Sequence, residues 1–217
     1  MLLIVGVSAC KKEVTVNVDQ DKIFTHYQLT YDENANKTIA TATFRFSNLG
    51  GTRLMLSDPS TVSADSQEMQ WSEENGNYSR EYSGLVPTVT FEWTDLDGNS
   101  FSNAVEIRDI DYPAVLPDYS FADSVSYFQW EGAALDSSES VILILDGIGE
   151  TDTKVFSVDT LGATTITIDS IRMSQIDSGE VIMALRKLYS PDLVEGTTKG
   201  GLLEGSYQPT NRTFVLD

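Results

Sequence analysis

The chain has 217 residues, with 33 acidic against 14 basic side chains, a formal net charge of −19, and 41% hydrophobic residues. That balance excludes a nucleic-acid partner, because gripping phosphates needs a basic face that displaces counterions. The apolar and aromatic content excludes a disordered chain, and a single cysteine excludes an internal disulfide or a thiolate metal cluster.

In chain order, the first feature is an apolar run, Leu2 to Val7, leading into Val7-Ser8-Ala9-Cys10. Small residues after an apolar stretch are what a secretory cleavage site requires. This segment resembles the lipobox of bacterial lipoproteins, and the resemblance implies residues 1–9 as signal peptide and Cys10 as the lipidated mature terminus. Residues 10–13 are then a tether, and no basic residue precedes the run, so a basic start is expected upstream of Met1. Acyl chains contribute about 0.8 kcal/mol per buried CH₂, and two chains anchor stably where one does not. Lys11, rather than Asp, after the cysteine is similar to outer-membrane lipoproteins of Gram-negative cells. The other reading of Cys10 is an ordinary core cysteine on a buried N-terminal strand.

Beyond the tether the segments are short and alternating, rich in Thr, Val, Ile, Tyr and Phe, with Gly, Asn, Asp and Ser between them. This pattern predicts an all-β sandwich or barrel. Residues 14–112 form the first expected unit. Ile39 to Phe46 alternates Ala40, Ala42, Phe44 and Phe46 against Ile39, Thr41, Thr43 and Arg45, and Thr52 to Ser57 is a second strand stopped by Asp58-Pro59. The clearest hairpin is VTFEW, TDLDGN and SFSNAVEI, with Asp97-Gly98 as its turn signal. It resembles the last two strands of an immunoglobulin-like domain.

Pro113 and Pro117 mark an expected stiff linker at 113–118, and residues 119–217 form the second unit. There Ser124 to Trp130, Val141 to Leu145, Lys154 to Val158, Thr164 to Ile168 and Glu180 to Tyr189 read as strands. Ser170 to Ile176 reads as one helical turn, and the stretch after Gly200-Gly201 as a closing hairpin. The fold class expected is all-β, with two immunoglobulin-like or fibronectin type III-like β-sandwich domains in tandem after a lipoprotein signal. A lipobox followed by such units, with FQWEGAALDSSESVILIL and GGLLEGSYQPTNRTFVL, resembles the two-sandwich lipoproteins of the Bacteroidota. That resemblance implies a structural likeness and no catalytic residues.

Three groups of residues are candidates for chemistry. Asp95, Asp97, Asn99, Asn103 and Glu106 stand at positions 1, 3, 5, 9 and 12 of a twelve-residue Ca²⁺ loop, with hard oxygen ligands at suitable spacing. Against this, Ser100 holds the place of the turn glycine, the flanks are strands, and an Asp-Gly turn explains the same residues. Trp71, Tyr78 and Tyr82 lie in a polar stretch and are candidate contacts for a glycan or an envelope protein; the alternative is that Trp71 caps the sandwich edge. His26 is the sole histidine and stands beside no nucleophile motif, and pairs such as Glu73-Glu74 are expected by chance in so acidic a chain.

The function expected is a non-catalytic recognition or scaffolding module, held at the outer membrane or cell surface by its lipid. One alternative is a fimbrial or adhesin subunit that exchanges an edge strand near Glu13 to Asp19 or Thr213 to Asp217. The other is a carbohydrate-binding accessory protein of a glycan-use system.

Overall fold

The computed structural model describes residues 13–116, 126–147 and 153–216. Cys10, with the whole signal and tether expected before Glu13, lies outside the described residues, as do Pro117 and Asp118 of the expected linker. The described chain is a layered β structure with one α-helical turn and two 3₁₀ turns (Thr15–Asn17 and Gln20–Lys22), in keeping with the all-β sandwich expectation.

Ten strands precede the connector: β1 (Glu13–Val14), β2 (Ile23–Asp32), β3 (Lys37–Phe46), β4 (Arg53–Met55), β5 (Thr61–Ala64), β6 (Gln67–Glu68), β7 (Gln70–Ser72), β8 (Asn77–Ser83), β9 (Thr88–Thr94) and β10 (Ser100–Glu106). After it come β11 (Ser126–Gln129), β12 (Glu139–Gly147), β13 (Lys154–Val158), β14 (Thr165–Ile168), the turn α1 (Ser170–Met173), β15 (Gly179–Tyr189), β16 (Gly201–Gln208) and β17 (Arg212–Leu216). The helical turn falls where the sequence places it. Asp169 caps it by accepting the Ile171 N–H at 2.8 Å.

One sheet runs the length of the molecule in the order β1-β4-β3-β2-β16-β15-β12-β13, with β8 and β7 added alongside β3. A second sheet, β10-β9-β5-β6, covers the N-terminal half of its inner face, and the pair β11-β14 covers the C-terminal half. Two hydrophobic clusters result. The first joins residues between Ile23 and Ile107, together with Leu203, around Tyr27, Phe44, Phe91 and Trp93; Tyr27 and Phe91 stack 4.9 Å apart. The second runs from Ile110 to Leu216, mostly aliphatic, with Val141, Leu143, Leu145, Val181, Met183 and Leu185 wholly buried. Fully burying such a side chain contributes roughly 1.5–3 kcal/mol.

The structure departs from the expected tandem at β16. Sequence order puts this strand in the second unit, yet it pairs parallel with β2 from Gly201↔Thr25 to Gln208↔Asp32, and Leu203 belongs to the first cluster. The expected closing hairpin is corrected as well. Both β16 and β17 pair antiparallel with β15, at Tyr207↔Lys187 and then Arg212↔Met183, so they are successive parts of one strand. Between those pairs, residues 184–186 face residues 208–211. One extra residue, beside Pro209 with no N–H to donate, makes this a β-bulge.

The connector leaving β10 crosses the sheet at Gly205, where a Cβ would stand 1.8 Å from the Glu106 carbonyl oxygen. Only glycine admits that approach. Arg108 then enters an ion network at the seam. Its Nη1 stands 3.1 Å from Glu139 Oε1 and also bonds Asp136, while its guanidinium lies 3.6 Å from the Tyr189 ring centroid. Lys187 Nζ lies 3.0 Å from the same Glu139 oxygen, both side chains being 3% exposed. Glu139 Oε2 accepts the Asp136 N–H, so the buried carboxylate is fully partnered. The Ser138 N–H and the Arg108 guanidinium together hold the Asp136 carboxyl below its ordinary pKa.

Candidate functional site

The proposed contact aromatics lie at the corner where the chain passes from β6 in one sheet to β7 in the other. Tyr78 is only 8% exposed, its ring 5.1 Å from Trp71 and 5.9 Å from Phe44. Its hydroxyl accepts the Leu56 N–H at 2.9 Å, and burial raises its pKa. Tyr78 is therefore a packing residue, because alternation turns it inward across from Ala42. Trp71 and Tyr82 are half-buried and pack against the first cluster, with Arg80 5.2 Å from the Tyr82 ring centroid. The geometry of Trp71 suits capping of the sandwich edge.

The Asp95 loop folds as a turn that consumes its own ligands. Asp95 is 3% exposed; its Oδ1 accepts the N–H groups of Asp97 (2.9 Å) and Asn99 (2.8 Å), and its Oδ2 accepts the Asn99 amide at 2.9 Å. Gly98 supplies the left-handed position at φ +83°. Glu106 sits at the far end of β10, about 20 Å away at roughly 3.3 Å per residue, and stands 3.4 Å from Arg108 Nε. Asn103 turns inward, where its Oδ1 accepts the N–H groups of Val194 and Glu195 and its Nδ2 donates to the Glu195 carbonyl. Asp95, Asp97, Asn99, Asn103 and Glu106 thus do not converge. Among the described residues, no three His, Cys, Asp or Glu side chains gather as a metal site.

His26 stands on the outer face of β2, beside Leu202 and Thr43. Burial lowers its pKa, with Arg45 adding to the effect and Glu204 opposing it, which favours the neutral ring.

A shallow groove of about 430 Å³ lies on the outer face of β5, β9 and β10. Two cross-strand rows build it: Thr61–Thr94–Ser100 and Ser63–Glu92–Ser102. Period-2 alternation sends these polar residues outward while Val62, Phe91 and Trp93 fill the core. The Ser63 hydroxyl lies 3.3 Å from the Glu92 carboxylate, and the Thr94 and Ser100 hydroxyls are 3.1 Å apart. Glu195, from the connection between β15 and β16, closes one side by accepting the Ser102 N–H at 2.7 Å. That contact also caps the outer edge of β10. The lining carries two carboxylates, several hydroxyls, the Trp93 and Phe101 side chains at its floor, and no basic side chain. Sequence reasoning missed it because Glu195 is 93 residues from Ser102; the alternation of β9 and β10 was the available signal for the rest.

No protein-family model matches the chain, nor does any curated protein. Among the described residues, no helix is long and apolar enough to cross a membrane.

Proposed function

We propose that this chain is a lipid-anchored envelope protein that works by recognition or scaffolding without turnover, and that the groove on β5, β9 and β10 is its contact surface. The observation that carries the reading is the groove's lining: Glu92 and Glu195 as acceptors among Thr61, Ser63, Thr94, Ser100 and Ser102. Hydroxyls that both donate and accept, beside carboxylates that accept, match the hydrogen-bonding needs of a polyhydroxylated glycan. Binding sites of this kind use a few placed polar groups on a preformed scaffold.

A glycan array with the full chain tests this, using Glu92→Gln and Glu195→Gln against Trp71→Ala as control. The expected result is binding by the parent and by Trp71→Ala, lost in the two groove variants. Binding that survives both groove substitutions overturns the assignment. Anchoring is tested separately by mass spectrometry of native membranes, where an unmodified Cys10 thiol overturns it.

One observation favours the fimbrial alternative. Among the described residues, β17 pairs only with β15, so its other edge is open, while Leu216 fills the second core and Val215 is 69% exposed. Strand exchange at that edge would give an open-ended ladder of sizes. A closed species in sedimentation overturns this reading.

A further inference from the structure

We propose that Asn103 is the positioning residue of the groove: it fixes the main chain at 194–195 so that the Glu195 carboxylate completes a row of ligand-facing groups. The inference rests on the groove being the contact surface, and it names what assembles that surface. The row runs across the strands as Ser63, Glu92, Ser102 and Glu195, with hydroxyl and carboxylate alternating. Its first three members lie on neighbouring strands of one sheet. The fourth comes from the connection between β15 and β16, 93 residues from Ser102.

Alternation along β10 turns Phe101, Asn103 and Val105 inward and Ser100, Ser102 and Ala104 outward. Of the three inward residues Asn103 alone is polar, and it is 2% exposed, where an unpartnered amide would cost stability. Both of its polar atoms are partnered. Its Oδ1 accepts the N–H groups of Val194 and Glu195, each at 3.0 Å, and its Nδ2 donates to the Glu195 carbonyl at 2.8 Å. Two donors on one atom and an acceptor on the other allow a single orientation of the amide. Three bonds to adjoining peptide groups fix both the place and the rotation of that backbone, and with them the direction in which the Glu195 side chain leaves.

Among the described residues, no other group hydrogen-bonds the main chain of Val194 or Glu195. The flanks are held separately: Leu193 packs against the first cluster, and Thr197 Oγ1 donates to the Ile23 carbonyl at 2.6 Å. Between them Val194 is 80% exposed, so apolar burial does not hold this stretch. The consequence shows at Ser102. The strand β10 ends its sheet, and the Ser102 N–H turns away from β9 to meet the Glu195 carboxylate at 2.7 Å. That charge-assisted bond seats Glu195 on the far side of Ser102 from Glu92 and closes the row.

Amide NMR of the full chain tests this, beside a glycan array printed with neutral and amino oligosaccharides. In the parent, the Ser102 amide proton should lie downfield and exchange slowly. Asn103→Ala should move it upfield and speed exchange at Ser102, Val194 and Glu195 by about tenfold or more. Glu195→Gln should move the Ser102 proton too, while the amides at 194 and 195 stay protected by Asn103. Ile107→Val trims the first core without touching this segment and should change none of these signals. On the array, Asn103→Ala should lose the glycans that Glu195→Gln loses, and Ile107→Val should keep them. An unmoved Ser102 proton, or glycans kept by Asn103→Ala but lost by Glu195→Gln, overturns the positioning role alone. So does an Ile107→Val variant that reproduces the Asn103→Ala pattern, since general loosening would then account for it. A parent that binds nothing on the array overturns the role together with the groove reading.

Discussion

The two halves of the large sheet solve the same problem with different materials. In the N-terminal half the inner face is aromatic, with Tyr27, Phe44, Phe91 and Trp93 in ring contact, and the outer face of β2 and β3 is largely polar. In the C-terminal half the inner face is mostly aliphatic and packs against β11, β14 and α1, and the outer face mixes Ile142, Ile144, Ile182 and Leu188 with Arg186 and Asp146. Large rings fill a two-sheet core with few residues, so alternate positions are free to be polar. The halves nonetheless share β16, bonded to β2 on one side and β15 on the other.

That sharing can be broken experimentally. Trp93→Ala should cost about 4 kcal/mol and Leu143→Ala about 3 kcal/mol in urea unfolding. If β16 couples the halves, either change shifts one common transition; two separable transitions, only one of them moved, would mean independent units. Next, Glu139→Leu should cost about 3 kcal/mol by stranding Lys187 as a buried charge, and adding Lys187→Met should restore most of the loss. An additive double mutant would show that the seam network is not a coupled pair. Gly205→Ala should cost roughly 2 kcal/mol by forcing the connector off the sheet, with faster hydrogen exchange on both sides of the seam. Asn103→Ala should cost about 1 kcal/mol and loosen residues 193–197, seen as selective loss of protection there.

The smallest effect is at high pH. Burial raises the pKa of Tyr27 in the first core and Tyr112 in the second, and it pushes Tyr207 at the seam up to about 12. Each folded-state value lies above the unfolded one, so the stability they contribute is complete below about pH 10. It is lost as pH rises through the folded values. Phenolate absorbance of these rings should appear together with unfolding; ionisation in the still-folded chain would contradict their burial.

Local order was legible in the sequence, and long-range partnership was not. Alternation located β3, β9, β10, β12 and β15, the Asp97-Gly98 turn appeared as read, and Ser170–Met173 formed its helical turn. The β2 strand drew no notice because His26, Gln28 and Thr30 dilute its apolar register, although Ile23, Tyr27 and Leu29 are buried. The role of β16 was hidden for a different reason. Gly200-Gly201 reads as a break before a closing hairpin, whereas Gly205 inside β16 answers a close backbone crossing and Pro209 stands at the bulge between β16 and β17. The contact aromatics misled similarly: polar neighbours around Tyr78 are compatible with an edge strand whose alternate residues point inward. The groove needs Glu195 from the other half of the chain, so no local window contains it.

The parallel pairing of β2 with β16 also sets how the molecule bears force. A pull that separates the two ends of the chain drags β2 toward its own N-terminus and β16 toward its C-terminus. Parallel neighbours pulled in opposite senses are loaded in shear, so the rungs from Gly201↔Thr25 to Gln208↔Asp32 strain together rather than unzipping in turn. Under tension from outside, resistance would reside in this clamp and follow the unfolding rate, not the equilibrium stability of either core.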